Sequence, residues 1–337
     1  VMQRPDGDAV TIEQVAARAG VSRSTVSRVV NGGSRVSPDA LEAVRRAISE
    51  LNYVPNRAAR SLASRQTHAI ALVVPEDTTR FFGDPFFAAV VTGISERMSQ
   101  SDHVLNLFIA SDDPGDKTTS YLRGGNVDGA IVVSHHTSDT YIERIAEAVP
   151  VVFGGRPIRD RDAYHWVDVD NVAGARIAVE HLIRSGRRRI GTVTGPLDMP
   201  AAIDRLEGYR AALAAAGLEP GPVVDGAFTL DGGAAAARGL LERGERFDAL
   251  FVASDLMARG VVSALRDAGR VLPDDVAIVG FDDSPLATSI VPALTTVRQP
   301  SRLQGWTMVD VLLARLAGQT PPRVTILPTE LVQRDSA

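Results

Sequence analysis

Residues 9–62, AVTIEQVAARAGVSRSTVSRVVNGGSRVSPDALEAVRRAISELNYVPNRAARSL, pack three short helical patterns and a Pro-broken basic tail into little more than fifty positions. Thr11 and Gln14 have the spacing of a capping box, which satisfies the first free amides of a helix. Ile12, Val15, Ala16 and Ala19 then share one helical face. Gly20 ends that helix, because a left-handed residue costs glycine least. Val21 is a buried pivot, and Ser22 caps a second helix over about 22–30. On this second helix Val26 and Val29 fall on one side and Arg23, Ser24, Ser27 and Arg28 on the other. Ser37-Pro38 opens the third helix as N-cap and first helical residue, and Leu41, Val44, Ile48 and Leu51 give it a core face. Arg45 and Arg46 are expected to be solvated or phosphate-facing.

Two capped helices around a tight glycine turn, the second with an apolar anchor inward and donors outward, make a helix-turn-helix. Arg can pair bidentately with guanine in the major groove, and Ser or Thr can touch bases or phosphates. An ordinary amphipathic surface helix would show the same face, so charge helps to separate the readings. Residues 1–68 carry ten Arg against six acidic residues, a net +4, while the remainder carries 26 basic and 35 acidic residues, a net −9. A basic head on an acidic body fits a nucleic-acid reader whose body does not bind DNA. After Pro55, the segment Asn56–Leu62 is only about two turns long and too short to hold a helix alone. A duplex and a second copy of the chain would order it. Leu62 would then be placed to wedge into a minor-groove step; a plain linker is the alternative.

At 337 residues the chain is long enough for two or three domains. It has no Cys, which excludes disulfides, Cys-ligated zinc and thiol catalysis. It lacks an apolar run long enough to span a membrane. The first residues, VMQRPDGDAVTIEQ, contain no apolar core of a secretory signal, so a cytoplasmic location is expected.

Beyond residue 68, short apolar runs alternate with helical stretches. Strands are predicted at 69–74, 104–109, 129–133, 149–153, 190–194, 249–252 and 276–279, and helices at 85–99, 173–185, 205–216 and 256–268. Continuous apolar strands between helices indicate buried parallel sheets, and the pattern is long enough for two. In such sheets ligands sit beyond the carboxyl ends of the strands. Phe81, Phe82, Asp84, Phe86, Phe87, the stretch 198–205, Ser254, Asp255, Asp282 and Asp283 all fall there. Carboxylates and Arg suit vicinal hydroxyls, and aromatic faces cover a sugar ring or a base. Each also has a bland reading: Phe as core, Asp255 as a helix cap, Asp282-Asp283 as a turn.

The runs VTIEQVAARAGVSRSTVSRVVNG, VSP and LNYVPNRAARSL, followed by TGPLDMPAAIDRLEGYRAAL, VASDLMARG, VGFDDSPLA and LTTVRQP, resemble the lactose/galactose repressor (LacI/GalR) family along nearly the whole chain. The resemblance implies an N-terminal all-α helix-turn-helix head plus an α/β periplasmic-binding-protein-like (type I) effector domain of two subdomains. The expected division is a DNA-binding domain at 1–54, a hinge at 55–68 and an effector and dimerisation domain at 69–337. Within the last, one subdomain takes about 69–186 and 299–321, the other about 187–298 and 322–337. It implies that Arg23, Ser24 and Arg28 read bases, that Thr25, Ser27, Asn31 and Arg35 support base or phosphate contacts, and that Leu62 is the wedge. Thr11, Ser22, Asn56, Arg57 and Ala59 complete the candidate DNA-facing set. It further implies that Arg205, Asp255, Asp282 and Gln299 line an effector cleft, with Phe86 or Phe87 against the effector; the FFGDPFF loop is expected to add Phe82 or Asp84. Ala173 stands where some members carry an acid.

The implied function is a transcriptional repressor, homodimeric with a tetramer as the alternative, that binds operator DNA and is released by a small sugar-type effector. A purine- or nucleoside-type co-repressor is the alternative, and a transporter's solute-binding protein is a third reading, which would need a signal peptide and no head. The C-terminal LVQRDSA shows no heptad repeat for a tetramer tail. No P-loop, nucleophile elbow or metal-spaced His cluster occurs. No enzyme activity, cofactor or metal is therefore expected.

Overall fold

The computed structural model describes residues 10–30, 36–53, 66–109, 111, 113–157 and 162–337. The chain divides into two compact units, Val1–His68 and Ala69–Ala337. The candidate positions Asn31, Arg35, Asn56, Arg57, Ala59 and Leu62 lie outside the described residues.

In the first unit, α1 (Ile12–Ala19), α2 (Arg23–Val30) and α3 (Pro38–Glu50) enclose a small core of Val15, Ala16, Val26, Val44 and Ala47. The capping box is present: the Thr11 hydroxyl accepts from the Gln14 amide, and the Thr11 amide donates to the Gln14 side chain. Gly20 adopts φ 65°, the left-handed turn that lets α2 fold back across α1. Ser22 caps α2 by accepting from the Thr25 amide at 3.2 Å, and Ser37 caps α3 ahead of Pro38.

The second unit contains two six-stranded sheets. The first has the order β11-β5-β4-β3-β1-β2, all parallel, with β1 at Ala69–Val74, β2 at Val104–Ile109, β3 at Gly129–Val133, β4 at Val151–Gly154, β5 at His165–Val169 and β11 at Val324–Leu327. The second has the order β12-β10-β9-β8-β6-β7, with β6 at Ile190–Thr194, β7 at Val223–Asp225, β8 at Ala249–Val252, β9 at Ala277–Asp282, β10 at Thr295–Arg298 and β12 at Glu330–Val332. Only β12 in this sheet runs antiparallel to its neighbour. The central strands are buried on both faces, which is why they read as unbroken apolar runs.

Helices α4 (Thr78–Gly83), α5 (Pro85–Met98), α6 (Lys117–Tyr121), α7 (Thr140–Ala148) and α13 (Ser301–Leu316) go with the first sheet. Helices α8 (Asn171–Arg184), α9 (Pro200–Ala215), α10 (Leu230–Glu242), α11 (Asp255–Asp267) and α12 (Leu286–Ser289) go with the second. α5 and α13 touch backbone to backbone. A Cβ on Gly93 would sit 1.8 Å from the Arg302 carbonyl oxygen, and one on Gly305 would sit 2.2 Å from that of Val90.

The lobe boundaries differ from the sequence expectation in two places. Helix α8, expected in the first lobe, belongs to the second: its Ala175, Ala178, Val179 and Leu182 share a core with Tyr209, Phe251 and Phe281. Strand β11, expected in the second lobe, pairs with β5 in the first sheet. The chain therefore crosses between lobes at Asp170, at Gln299-Pro300 and at Pro328-Thr329. The first and third crossings are bonded together: the Asp170 amide donates to the Leu327 carbonyl at 3.0 Å, and the Thr329 hydroxyl donates to the Asp170 carbonyl at 3.4 Å.

Candidate functional site

On α2 the side chains divide as the sequence predicts. Val26 is fully buried, while Ser22, Arg23, Ser24 and Arg28 are exposed and Thr25 and Ser27 half-exposed. Arg23 is held by Glu13 of α1 at 2.9 Å, so any other partner of its guanidinium must compete with that pair. The Ser22 hydroxyl lies 2.8 Å from those of both Ser24 and Thr25. Thr11 is exposed, with its oxygen engaged in the cap.

In the second unit, a cavity of about 80 Å³ lies between the lobes at the carboxyl ends of the strands of both sheets. Asp84, Phe86, Arg205, Asp282 and Gln299 border it. Arg205 is its central cation. Its Nε donates to the Asn171 side-chain oxygen at 2.9 Å and one terminal nitrogen donates to the Ala253 carbonyl at 2.6 Å. That terminal nitrogen stands 3.8 Å from Asp282, and the guanidinium lies 3.7 Å from the Phe281 ring centre. Burial lowers the Arg205 pKa, against the pull of Asp282 and Asp168.

Asp282 occupies a conformation with φ 116°, which a side chain rarely adopts. Gln299 donates to its Oδ1 at 2.5 Å. Burial raises the Asp282 pKa well above the usual carboxylate range, with Arg205 opposing. Asp84 caps α5 through the Phe86 amide at 3.0 Å, and burial raises its pKa too.

Two candidates do not border the cavity. Phe87 is 2% exposed and packs in the first lobe's core beside Phe81, because α5 turns Phe86 toward the cleft and Phe87 away. Asp255 is fully buried behind the wall, where it accepts from the Thr296 hydroxyl at 2.6 Å and the Ser284 amide at 2.7 Å. It thereby pins the loop that carries Asp282, and burial pushes its pKa up to about 7. Ser254, its neighbour, caps α11 and borders the cavity. Phe82 is 75% exposed and Asp283 is paired with Arg298 and Arg334.

Several lining residues escaped the sequence reading: Arg80, Ser134, Asp168, Asn171, Phe228 and Gln304. Asp168 is the penultimate residue of the unpredicted strand β5. It accepts from the Arg156 amide at 2.9 Å, the Val169 amide at 2.8 Å and the Asn171 side chain at 3.1 Å. Burial nevertheless pushes its pKa up to about 6. Its place before a capped helix, in HWVDVDN, was the available signal.

Contacts between the lobes bridge the cleft. Arg156 of the first lobe pairs with Asp204 of the second, and His136 of the first with Asp198 of the second at 3.0 Å. Arg80 reaches the Met199 sulfur at 3.6 Å and lies over the Phe228 ring.

A helix-turn-helix unit joined to a two-lobed α/β unit with a cleft at its strand ends defines a DNA-binding regulator with a small-molecule receptor. Residues 11–56 match the family model described as bacterial regulatory proteins, lacI family, and residues 179–337 match the periplasmic binding protein-like domain. The chain is 46% identical to the HTH-type transcriptional regulator CelR of Thermobifida fusca, over 97% of this chain and 98% of that protein. It is 36% identical to the ribose operon repressor of Escherichia coli K12, over 97% and 99%. Among solved structures, a CelR–cellobiose complex matches with TM-score 0.78 and 44% identity over 97% of this chain and 100% of that one. The lac repressor dimer bound to operator and an anti-inducer matches with TM-score 0.86 and 32% identity over 98% and 99%. The chain belongs to the LacI family of bacterial transcriptional regulators.

Proposed function

We propose that the protein is a dimeric repressor that holds operator DNA through α2 and releases it when a sugar enters the cleft between the lobes. The observation that carries this reading is the cavity between the lobes, with its polar groups set in a largely apolar lining. It sits at the carboxyl ends of the parallel strands of both sheets, and carboxylates, two arginines and the rings of Phe86 and Phe228 surround it. Carboxylates accept from sugar hydroxyls, and aromatic rings cover the apolar face of a pyranose. At about 80 Å³ the cavity is smaller than the roughly 300–1,000 Å³ of ligand pockets, so an occupant has to rearrange the lobes. That rearrangement gives binding a means of changing DNA affinity, and by linkage operator weakens effector binding by the same factor. The names of the relatives, a cellobiose complex and a ribose operon repressor, favour a sugar over a nucleobase.

On α2, Arg23, Ser24 and Arg28 are assigned to base edges, with Thr25 and Ser27 supporting. A cytoplasmic, non-enzymatic role follows from that function; no helix among the described residues is long and apolar enough to cross a membrane. The test is fluorescence anisotropy of the full chain on palindromic duplexes selected from a random pool, with and without cellobiose, ribose and other neutral sugars. A selected duplex released by one sugar supports the reading. Sequence-indifferent binding, or binding that no sugar alters, overturns it.

A further inference from the structure

Two residues that border the cavity each hold a polar atom buried without a partner, and the two atoms are of opposite sense. Gln304 on α13 is 4% exposed, and its Nε2 donates to the Val167 carbonyl at 3.1 Å. That bond fixes the amide, since the reversed orientation would set oxygen against oxygen. Its Oε1 is left as a buried acceptor with nothing donating to it. Arg80 pairs with Glu76 at 3.1 Å and reaches the Met199 sulfur, yet its Nε is a buried donor with no acceptor. Both residues border the same cavity. Buried polar groups are normally satisfied, and one left open on a residue that borders a cavity calls for a partner. A hydroxyl group donates and accepts at once.

Charge narrows the ligand further. Asp84, Asp168 and Asp282 face the cavity against two cations, Arg80 and Arg205. Each cation already faces a carboxylate, Arg80 that of Glu76 and Arg205 that of Asp282. An anionic group would enter a wall whose two cations already face carboxylates, with no unpaired positive charge to receive it.

We propose that Gln304 is a specificity-determining residue: it accepts a hydrogen bond from one hydroxyl of an uncharged polyhydroxy effector, while Arg80 Nε donates to an oxygen of the same ligand. A wall with no unpaired cation excludes phosphorylated and carboxylated sugars. This rests on the cleft being the effector site. The position of Gln304 is fixed by its neighbour Gly305, which seats α13 against α5. Removing the Gln304 amide does not orphan Val167, whose carbonyl also accepts from the Gly155 amide at 2.9 Å.

The test is isothermal titration of the full-length protein with neutral mono- and disaccharides beginning with cellobiose, then with the monodeoxy analogues and the 6-phosphate of the one that binds. For the wild type, one monodeoxy analogue is expected to bind roughly 3- to 10-fold more weakly than the parent sugar through loss of the Gln304 bond. The phosphate is expected to bind at least roughly 100-fold more weakly. Gln304→Leu should weaken the parent sugar by the same factor as the deoxygenation and erase discrimination at that hydroxyl alone. A purely structural role would weaken all analogues equally. If circular dichroism shows the Leu variant misfolded, Gln304→Met, unbranched and of similar length, replaces it. Retained discrimination at every hydroxyl, or tight binding of the phosphate, overturns the proposal while leaving the sugar reading intact. A wild type that binds no neutral sugar overturns the sugar reading itself, and the proposal with it.

Discussion

The imidazole of His136 and the carboxylate of Asp198 meet across the cleft at 3.0 Å, with Glu76 on the other ring nitrogen at 3.3 Å. Burial disfavours the charged ring, but the bonds and charges of Glu76 and Asp198 outweigh it and hold the His136 pKa above its ordinary 6.5. Arg80 and Asp139 also face this cluster, and His135 beside it is pushed down to about 4 by burial and stays neutral. Because the folded pKa is raised, the bridge's stabilisation is complete below pH 6.5 and fades as pH rises through the elevated value. Calorimetric melting of the ligand-free protein should therefore show a falling Tm across that window. Asp198→Asn should flatten the fall; identical pH profiles for the two proteins would remove the bridge from the closure of the lobes.

Asp168 gives a second pH signature at lower pH. Its carboxyl is raised by burial from 3.8 to about 6, so the folded state holds a proton that the unfolded state releases. Its contribution to stability is complete below 3.8 and lost as pH rises to about 6. Asp168→Asn should remove this component and flatten denaturant-derived stability between those limits. A variant whose stability still falls as steeply as the wild type would place the titration elsewhere.

Arg205→Ala should cost ~3 kcal/mol of stability, because it leaves Asp282 buried without its cation and strips the donors from Asn171 and Ala253. Urea unfolding checks the cost. Sugar titration in the same variant should show no heat, and retained affinity would take Arg205 out of the site.

Gly93→Ala tests the contact of α5 with α13. The added carbon would meet the Arg302 backbone oxygen at 1.8 Å, where no side-chain rotation can relieve it. Overpacking of this kind costs ~2 kcal/mol. A lowered Tm is expected, and an unchanged one would mean that the two helices slide freely.

For the DNA-facing helix, Arg28→Ala should weaken binding to a selected duplex by ~1–3 kcal/mol and relax preference at one base pair. Reselection from a random pool measures this. An unchanged consensus would assign Arg28 to phosphates.

Inner strands β1, β3, β4, β6, β8 and β9 were legible because burial on both faces leaves runs such as AIALVV and GAIVV, whereas inner strand β10, TTVR, is buried yet polar and was missed. The head was legible from caps and turn residues, which act locally: Thr11, Gly20, Ser22 and Ser37 all take the places their types suggest. Strand β5 was not, since HWVDV carries a site aspartate and reads as irregular, and the edge strands β7, β11 and β12 are too exposed for an apolar run. Missing β5 also hid the crossing at Asp170 and so misplaced α8. In the cleft, Arg205, Asp282 and Gln299 were found because they follow recognisable motifs. Gln304 and Arg80 were not, because a polar residue inside a helix shows its use only when its partners are known. Phe86 and Phe87 are adjacent, and only the rotation of α5 decides which one borders the cavity.

The three crossings have a consequence for how the receptor unit can be taken apart. Neither lobe is a contiguous stretch of chain, so no single truncation yields one lobe intact. A protease that cut at one crossing would leave two covalent ties, and the third crossing, at Pro328-Thr329, would still return the last strand to the second lobe. The two lobes are thus inherited, synthesised and lost together.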